Sequence, residues 1–419
     1  MKVLSVNKYY QHTGGGDRFF FETNEILEKS GHVVVPFCLN YKGNKPTPYL
    51  KYFPGGVAGS ELAAVGPWQK VRLFMNGIYS HEARKAIGRV IADERPDVAH
   101  LHILHFTMSP SVIDELHRQN VPIVFSLHDY RVGCVGGYLY RNGHECTLCA
   151  PHKFYEAVIH KCYQGSRSAS LMGALGNYLY ALRGLYSKVD AFTVPHEDMK
   201  RRVMQFGLPA EKIHILRNPL LVKNLPPRPA RSVPSIGADV LFFGNLSAQK
   251  GVLTLLKAAE LLPHIPFRIC GTGIALPVMQ REIESKGIRN VAIDTASRWN
   301  SGLQELIAAA RIVVSPSEWP TPLEYSTLEA MSLGKAVLAS YAGGNRDVIV
   351  DGETGIFFRS GDHADLARKI EALHGDPEKC EQIGANARRS IEEDFNETRY
   401  GAELETLFRK VVAEHVASR

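Results

Sequence analysis

No run of the 419-residue sequence approaches the roughly 18 to 20 uninterrupted apolar residues of a membrane-spanning helix. The opening MKVLSVNKYY has no leader-like apolar block before a small-residue cleavage site, so the expected location is the cytoplasm. No internal repeat or low-complexity tract is present, which argues against a solenoid and against long disorder. A dense basic helix is also lacking. The net charge of +6 is mild: it suits phosphate-rich ligands or an anionic membrane surface and makes no case for nucleic acid. Hydrophobic residues make up 45% of the chain, ample for the cores of two to three domains.

Cysteine is sparse, with seven residues, yet Cys134, Cys146, Cys149 and Cys162 cluster around a C-x2-C core. In a cytosolic chain such a group reads as metal-binding or simply reduced rather than disulfide-bonded. Four thiolates so spaced can close a tetrahedral structural zinc site, and His144, His152 and His160 offer substitute ligands; the alternative is four reduced thiols in a loop. Cys38, Cys270 and Cys380 adjoin apolar strand or helix residues and are expected to pack.

Strand and helix signals alternate along the chain. Strands are predicted near residues 2–6, 33–37, 98–101, 123–127, 191–194 and 214–216, and a second series near 239–243, 267–270, 291–293, 312–314, 336–339 and 356–358. Between them, residues 218–234 are Pro-rich, basic and without period, as in an extended linker. The expected organisation is an α/β chain with two Rossmann-like domains facing a central cleft: 1–217, with a cysteine-containing insertion at 131–165, a linker at 218–235, a second domain at 236–395 and a terminal amphipathic helix at 396–419.

The densest signal is residues 312–361, IVVSPSEWPTPLEYSTLEAMSLGKAVLASYAGGNRDVIVDGETGIFFRSG. An apolar strand runs into a Pro-rich loop and a helix with Glu329 one turn inside; a helix stop at Gly334 follows, then another strand and the pair Gly343-Gly344, whose bare backbone lets amides approach a ligand. This segment resembles the family 4 retaining glycosyltransferases, whose pattern is roughly P-S-x-x-x-E-P-F-G, four residues, E-A-M, then G-x-P-V and a G-G turn. Pro316, Ser317, Pro322, Glu329, Ala330, Met331, Gly334, Val337, Gly343 and Gly344 match. The resemblance extends to Gly14-Gly15-Gly16 after the first strand, to the strand ending in His128-Asp129-Tyr130, and to the segment from Phe243 to Gly251, which parallels the family's G-R-L-S-x-x-K-G. It covers most of the chain in the expected order.

The resemblance implies a GT-B-like fold binding a nucleotide diphosphate sugar as donor. Lys250 at a helix start would meet the leaving phosphates. Glu329 would hold the ribose, and His128 would contact the donor sugar near its reacting carbon. Gly14, Gly15 and Gly16 would form the facing loop. Gly271-Thr272-Gly273 reads as a nucleotide-base loop, since Leu276 stands where a dinucleotide fingerprint needs its third glycine. No catalytic metal is expected. In each case the bland reading is a solvated lysine, a helix-surface acid, a packed histidine or a simple turn.

Two positions depart from the family. Thr321 stands eight residues before Glu329, where an acid is usual, and Asn245 follows Gly244 in place of arginine, leaving only neutral hydrogen bonds where a guanidinium would meet phosphate. Glu324 or Glu318 could stand in for the acid, and Arg346, Arg217 or Arg298 for the cation. The principal reading is a retaining transferase acting on a glycan or lipid-linked glycan, with Thr321 an altered sugar contact. The alternatives are a catalytically impaired binding subunit and a nucleotide-sugar epimerase.

On the acceptor side, residues 167–188 carry Leu171, Met172, Leu175, Tyr178, Leu179, Leu182, Leu185 and Tyr186 between Arg167, Arg183 and Lys188, with Lys200, Arg201 and Arg202 shortly after. Two readings stay open: an interfacial patch touching an anionic membrane at the inner face of the cytoplasmic membrane, and a core helix with snorkelling basic ends.

Overall fold

The structure, a computed structural model, describes residues 1–56, 66–106, 108–220, 239–299 and 301–417. The predicted linker at 218–235 therefore lies mostly outside the described residues.

Two units are formed, Met1–Leu139 with Thr147–Pro219 and Glu397–Arg419, and Tyr140–Cys146 with Leu220–Asn396. In the first, β1 (Lys2–Val6), β2 (Val33–Phe37), β3 (Val98–Leu101) and β4 (Ile123–Ser126) build a sheet. After the short hairpin of β5 (Tyr140–Arg141) and β6 (His144–Glu145), which groups with the second unit, β7 (Ala191–Val194) and β8 (Ile213–Ile215) complete it. Every pairing in this sheet is parallel, in the order β2-β1-β3-β4-β7-β8. The second unit repeats the plan with β9 (Val240–Phe243), β10 (Phe267–Cys270), β11 (Val291–Asp294), β12 (Ile312–Ser315), β13 (Ala336–Ser340) and β14 (Ile356–Phe358), ordered β11-β10-β9-β12-β13-β14 and again parallel. Each unit is a doubly wound, Rossmann-like α/β domain.

The continuous apolar runs have their cause in this architecture, because strands of a parallel sheet are covered on both faces. Side chains alternate between the faces with period two. Val240, Phe242, Ile312, Val314 and Leu338 point into one core, with Leu255, Leu256 and Ile370 of covering helices. Leu241, Phe243, Val313 and Val337 point into the other, with Leu328, Met331 and Ile391.

The helix Glu397–Ala417 packs on the first unit. Tyr400, Leu404, Phe408 and Val411 are buried on one face, and the Tyr400 hydroxyl lies 3.1 Å from Thr23 Oγ1. Among the described residues no helix is long and apolar enough to cross a membrane.

Candidate functional site

In an open parallel sheet, ligands lie beyond the carboxyl ends of the strands, where the order of crossovers reverses. The reversal falls between β1 and β3 in the first unit and between β9 and β12 in the second. The residues predicted for the donor fall in loops and helices that follow strands of the two sheets, one group in each unit.

In the first unit the chain leaves β1 and enters the helix Gly15–Lys29, with Gly14 as its N-cap. Gly16 lies so close to the loop after β3 that a Cβ there would meet Ile103 Cδ1 at 2.7 Å and His128 Cβ at 3.6 Å. The glycine loop and His128 therefore share one corner, and a side chain at residue 16 would fill it. His128 packs edge-on against Phe19 and stacks on His102, with His128 Nε2 3.1 Å from His102 Nδ1. Behind them His100 Nε2 bonds Ser126 Oγ at 2.7 Å, and Ser126 Oγ bonds Thr193 Oγ1 at 2.6 Å, a polar row across β3, β4 and β7. Burial holds these imidazoles neutral: it lowers His100 to about 3 and His128 to about 4, and takes His102 well below its usual range. A neutral His128 carries one donor and one acceptor, of which Nε2 is engaged with His102, and it brings no charge to a ligand. The partnership with His102 was not foreseen; the H-x-H spacing of residues 100–102, at and just beyond the end of β3, was its only trace in the sequence.

In the second unit β9 turns at Gly244, whose φ of +149° favours glycine. The next residues, through a short 3-10 turn at Ala248–Lys250 and Gly251, lead to the helix Val252–Glu260. The loop after β10 is threaded against this turn. Leu246 N donates to Thr272 O at 2.9 Å and Ala275 N to Leu246 O at 2.9 Å. A Cβ on Gly271 would fall 1.9 Å from Gly244 O, and one on Gly273 would fall 2.2 Å from Leu246 O. The Gly271-Thr272-Gly273 loop thus permits backbone-to-backbone contact with the lysine loop. Beyond β13, Gly343 has φ +50° and lies against Thr321, while Gly344 N donates to Thr321 O at 2.7 Å. Thr321 is buried, and it meets the glycine turn through its backbone.

Lys250 does not project freely. Its Nζ lies 2.7 and 2.5 Å from the two carboxylate oxygens of Glu324, which also accepts from Ser317 Oγ at 2.6 Å. Glu318 is engaged elsewhere, accepting from Thr254 Oγ1 and from the Tyr140 hydroxyl at 2.6 Å each. Of the two acids considered as replacements for the missing one, Glu324 is therefore the one at the lysine. Among the arginines considered, Arg298 donates to the carbonyls of Thr295 and Ser297 in its own turn, and Arg346 lies over the Tyr341 ring beside the glycine pair. Asn245 is exposed, and its carbonyl accepts from Ser247 N. Ser247 Oγ, buried in the same turn, has no hydrogen-bond partner among the described residues, a donor left over for a ligand oxygen. Glu329 is largely buried in the helix Tyr325–Ser332, which is at odds with a helix-surface acid.

The predicted zinc ligands behave differently. Cys134, Cys146, Cys149 and Cys162 are not joined in disulfides, and among the described residues no three His, Cys, Asp or Glu side chains gather as a metal ion requires. Cys134 instead accepts from a ring of turn amides, those of residues 136 to 139, while burial raises its thiol. A C-x2-C spacing by itself fixes only a local knuckle of two ligands.

The helix predicted over 167–188 ends at Leu182. Ala174 and Tyr180 are buried, whereas Leu171, Leu175, Tyr178 and Leu182 form an exposed row at helical spacing. It packs beside the helices Pro67–Ile78 and Tyr155–Ile159, which add exposed Trp68, Val71, Met75, Tyr155 and Ile159. These two additions carry the i, i+3, i+7 and i, i+4 spacing of an apolar stripe and were legible but unread.

Known proteins place this architecture. The family model for glycosyltransferase family 4 matches residues 13–220, and that for glycosyl transferases group 1 matches residues 231–390. The α-maltose-1-phosphate synthase of Mycolicibacterium smegmatis is 28% identical over 49% of this chain and 59% of its own length. The α-D-kanosaminyltransferase of Streptomyces kanamyceticus is 27% identical over 51% and 58%. The chain thus aligns with less than two thirds of these relatives. Sucrose-phosphate synthase from Thermosynechococcus elongatus shares the fold with a TM-score of 0.73 at 17% identity over 99% of each chain. HepE from Anabaena, solved with UDP and glucose, does so with 0.70 at 16% identity, over 98% of this chain and 100% of its own. Two six-stranded parallel sheets, glycine loops at both reversal points and family models over nearly the whole chain have one meaning: it belongs to the family 4 glycosyltransferases, with the GT-B fold.

Proposed function

We propose that the protein is a retaining glycosyltransferase that moves a sugar from a nucleotide diphosphate sugar to a glycan or lipid-linked glycan. The observation that carries this reading is the glycine-walled turn at residues 244–251. It sets a lysine, an unpartnered buried hydroxyl and a helix N-terminus at the reversal point of the second sheet. Departure of the nucleotide develops negative charge on its phosphate oxygens, and preorganised cations and amides lower the barrier by meeting it. Lys250 supplies the cation, while Ser247 Oγ and the first amides of Val252–Glu260 supply hydrogen bonds. Glu329 accepts from the ribose hydroxyls, His128 orients the donor sugar, and the leaving phosphate takes the acceptor proton, so the new bond forms on the face the nucleotide left. Thr321 is a neutral contact to the sugar, and the Gly343 amide serves the phosphates while Gly344 N holds Thr321 O. No step needs a divalent metal, and the cysteines play no part in it.

Calorimetric titration with UDP, GDP, ADP and their common sugars tests the reading, UDP first because HepE was solved with it. One nucleotide is expected to bind, and Glu329→Ala to weaken it about 10- to 100-fold, the equivalent of about 1.5–3 kcal/mol for a charged hydrogen bond. An unchanged affinity would remove Glu329 from the site.

For the acceptor side we infer contact with an anionic bilayer through the three apolar stripes of the first unit, placing the enzyme at the inner face of the cytoplasmic membrane. Trp68 and Leu182 are each 85% exposed. Exposed Lys70, Lys153, Lys161 and Arg167 lie on or beside these helices, and neither Pro67–Ile78 nor Arg167–Leu182 contains an acid. Large apolar side chains with a basic surround suit the headgroup region of anionic lipid. In flotation with phosphatidylglycerol-containing vesicles at low salt the protein is expected to rise with the lipid, and Trp68→Ser with Leu182→Ser to stay behind. Wild-type protein remaining at the bottom of the gradient would eliminate the contact.

A further inference from the structure

Lys250 and Glu324 stand on the two loops that border the reversal point of the second sheet, one after β9 and one after β12. Both carboxylate oxygens of Glu324 face the ammonium, at 2.7 and 2.5 Å, and the carboxylate is buried. Glu324 is the N-cap residue of Tyr325–Ser332, yet its side chain makes no capping hydrogen bond and turns to the lysine. Ser317 Oγ fixes that orientation at 2.6 Å. With asparagine at residue 245, the turn 244–251 contains one cation, and this carboxylate neutralises it.

We propose that Glu324 is an internal counter-anion that occupies the phosphate's place at Lys250 and sets the affinity and selectivity of the donor site. The proposal rests on the donor reading above. The Glu324 carboxylate is buried and the Lys250 side chain is 23% exposed, so a ligand gains at Lys250 only the difference between its own contact and that of the carboxylate. A diphosphate, with several charged oxygens, outcompetes one carboxylate; a ligand without phosphate leaves the pair intact. Glu324 therefore lowers affinity for every phosphate-bearing ligand and discriminates among them by charge.

Glu324→Gln keeps the shape and an oxygen for Ser317 while removing the charge. Titrations of wild type and Glu324→Gln with UDP, GDP and ADP, and with uridine, guanosine and adenosine, give the test. The expected result is a roughly tenfold tighter diphosphate, about 1.4 kcal/mol, with the matching nucleoside unchanged. A structural role alone would weaken both. Should Glu324→Gln not fold, Glu324→Asp, which keeps the charge but draws it back by one methylene, is expected to give a smaller gain in the same direction. Diphosphate binding by wild type that is equal or weaker in the variant overturns this proposal and leaves the donor reading standing. Binding of no nucleotide by either protein overturns both.

Discussion

Between pH 7.5 and pH 5 the sheet of the first unit is expected to lose several kcal/mol of stability, while that of the second changes little. His100, His102 and His105 are buried, and burial is the main cause of their low affinity for protons. His100 falls to about 3 and His105 to about 4. At His105 Asp129 opposes the shift, while Arg131 and Lys8 add to it. A histidine whose folded value is depressed is fully stabilising above its unfolded value, about 6.5. That stability is lost as pH falls from there towards the folded value, because the unfolded chain then binds the proton that the folded one refuses. At pH 5 each such group has removed about 2 kcal/mol, and three together approach the roughly 5–15 kcal/mol total stability of a domain. His128 keeps some exposure and adds less. Asp114 and Glu115, held down by partners including Lys188 and Arg118, add losses in the same direction only below about pH 4.5. Burial raises Asp17, which works the opposite way.

The second unit has no fully buried histidine among the described residues. Pulse-labelled hydrogen exchange along urea titrations at pH 7.5 and pH 5 follows both sheets in the intact chain. His100→Asn, which cannot titrate but can bond Ser126, is expected to shrink the pH-dependent loss by about 2 kcal/mol. Equal stability of β3 and β4 at both pH values would show that the imidazoles find solvent or a counter-charge as they protonate.

Replacing Gly251 by alanine is expected to abolish measurable nucleotide binding, whereas Gly287→Ala leaves it intact. The two glycines have nearly the same backbone, φ +68° and +63°. Each substitution bears the cost of a left-handed conformation, about 1–2 kcal/mol. Their surroundings differ. At Gly287 nothing lies within 4 Å of the added Cβ, whereas at Gly251 it would sit 1.8 Å from Pro316 O and 2.7 Å from its carbonyl carbon. Those atoms are main chain at the end of β12 and have no rotamer by which to withdraw, so the loops after β9 and β12 must part. Lys250 and Glu324 stand on those loops and move apart with them. The loss is therefore expected to exceed the backbone cost by several kcal/mol and to appear in both thermal unfolding and titration. Similar behaviour of the two alanine variants would mean that φ alone accounts for the damage and that the two loops yield independently.

The strands and the glycine turns were legible because their causes are local. A strand covered on both faces must be largely apolar, so 240–243 and 312–314 announce themselves in any context. A left-handed backbone or a close approach of two chains asks for glycine wherever it occurs, so Gly251, Gly271 and Gly343 mark loops that only a bare backbone can build. Alternation of such signals carried the fold class, and the motif order carried the family. Pairing of side chains is not local. Lys250 and Glu324 are 74 residues apart, and nothing in either neighbourhood says that the acid turns to the lysine instead of capping its own helix. The cysteines are a second case: their spacing is compatible with zinc, and among the described residues no group of three metal-binding side chains is gathered. Likewise, Leu171 and Leu182 differ from Ala174 and Tyr180 only in which neighbours the tertiary structure supplies. The sequence by itself determined backbone requirements and core-forming periodicity, since these depend on each residue and its chain neighbours. Which charges meet, which imidazoles are dry and which apolar stripes stay bare were decided by the packing of distant elements, because Coulomb and desolvation energies depend on separation in space and not along the chain.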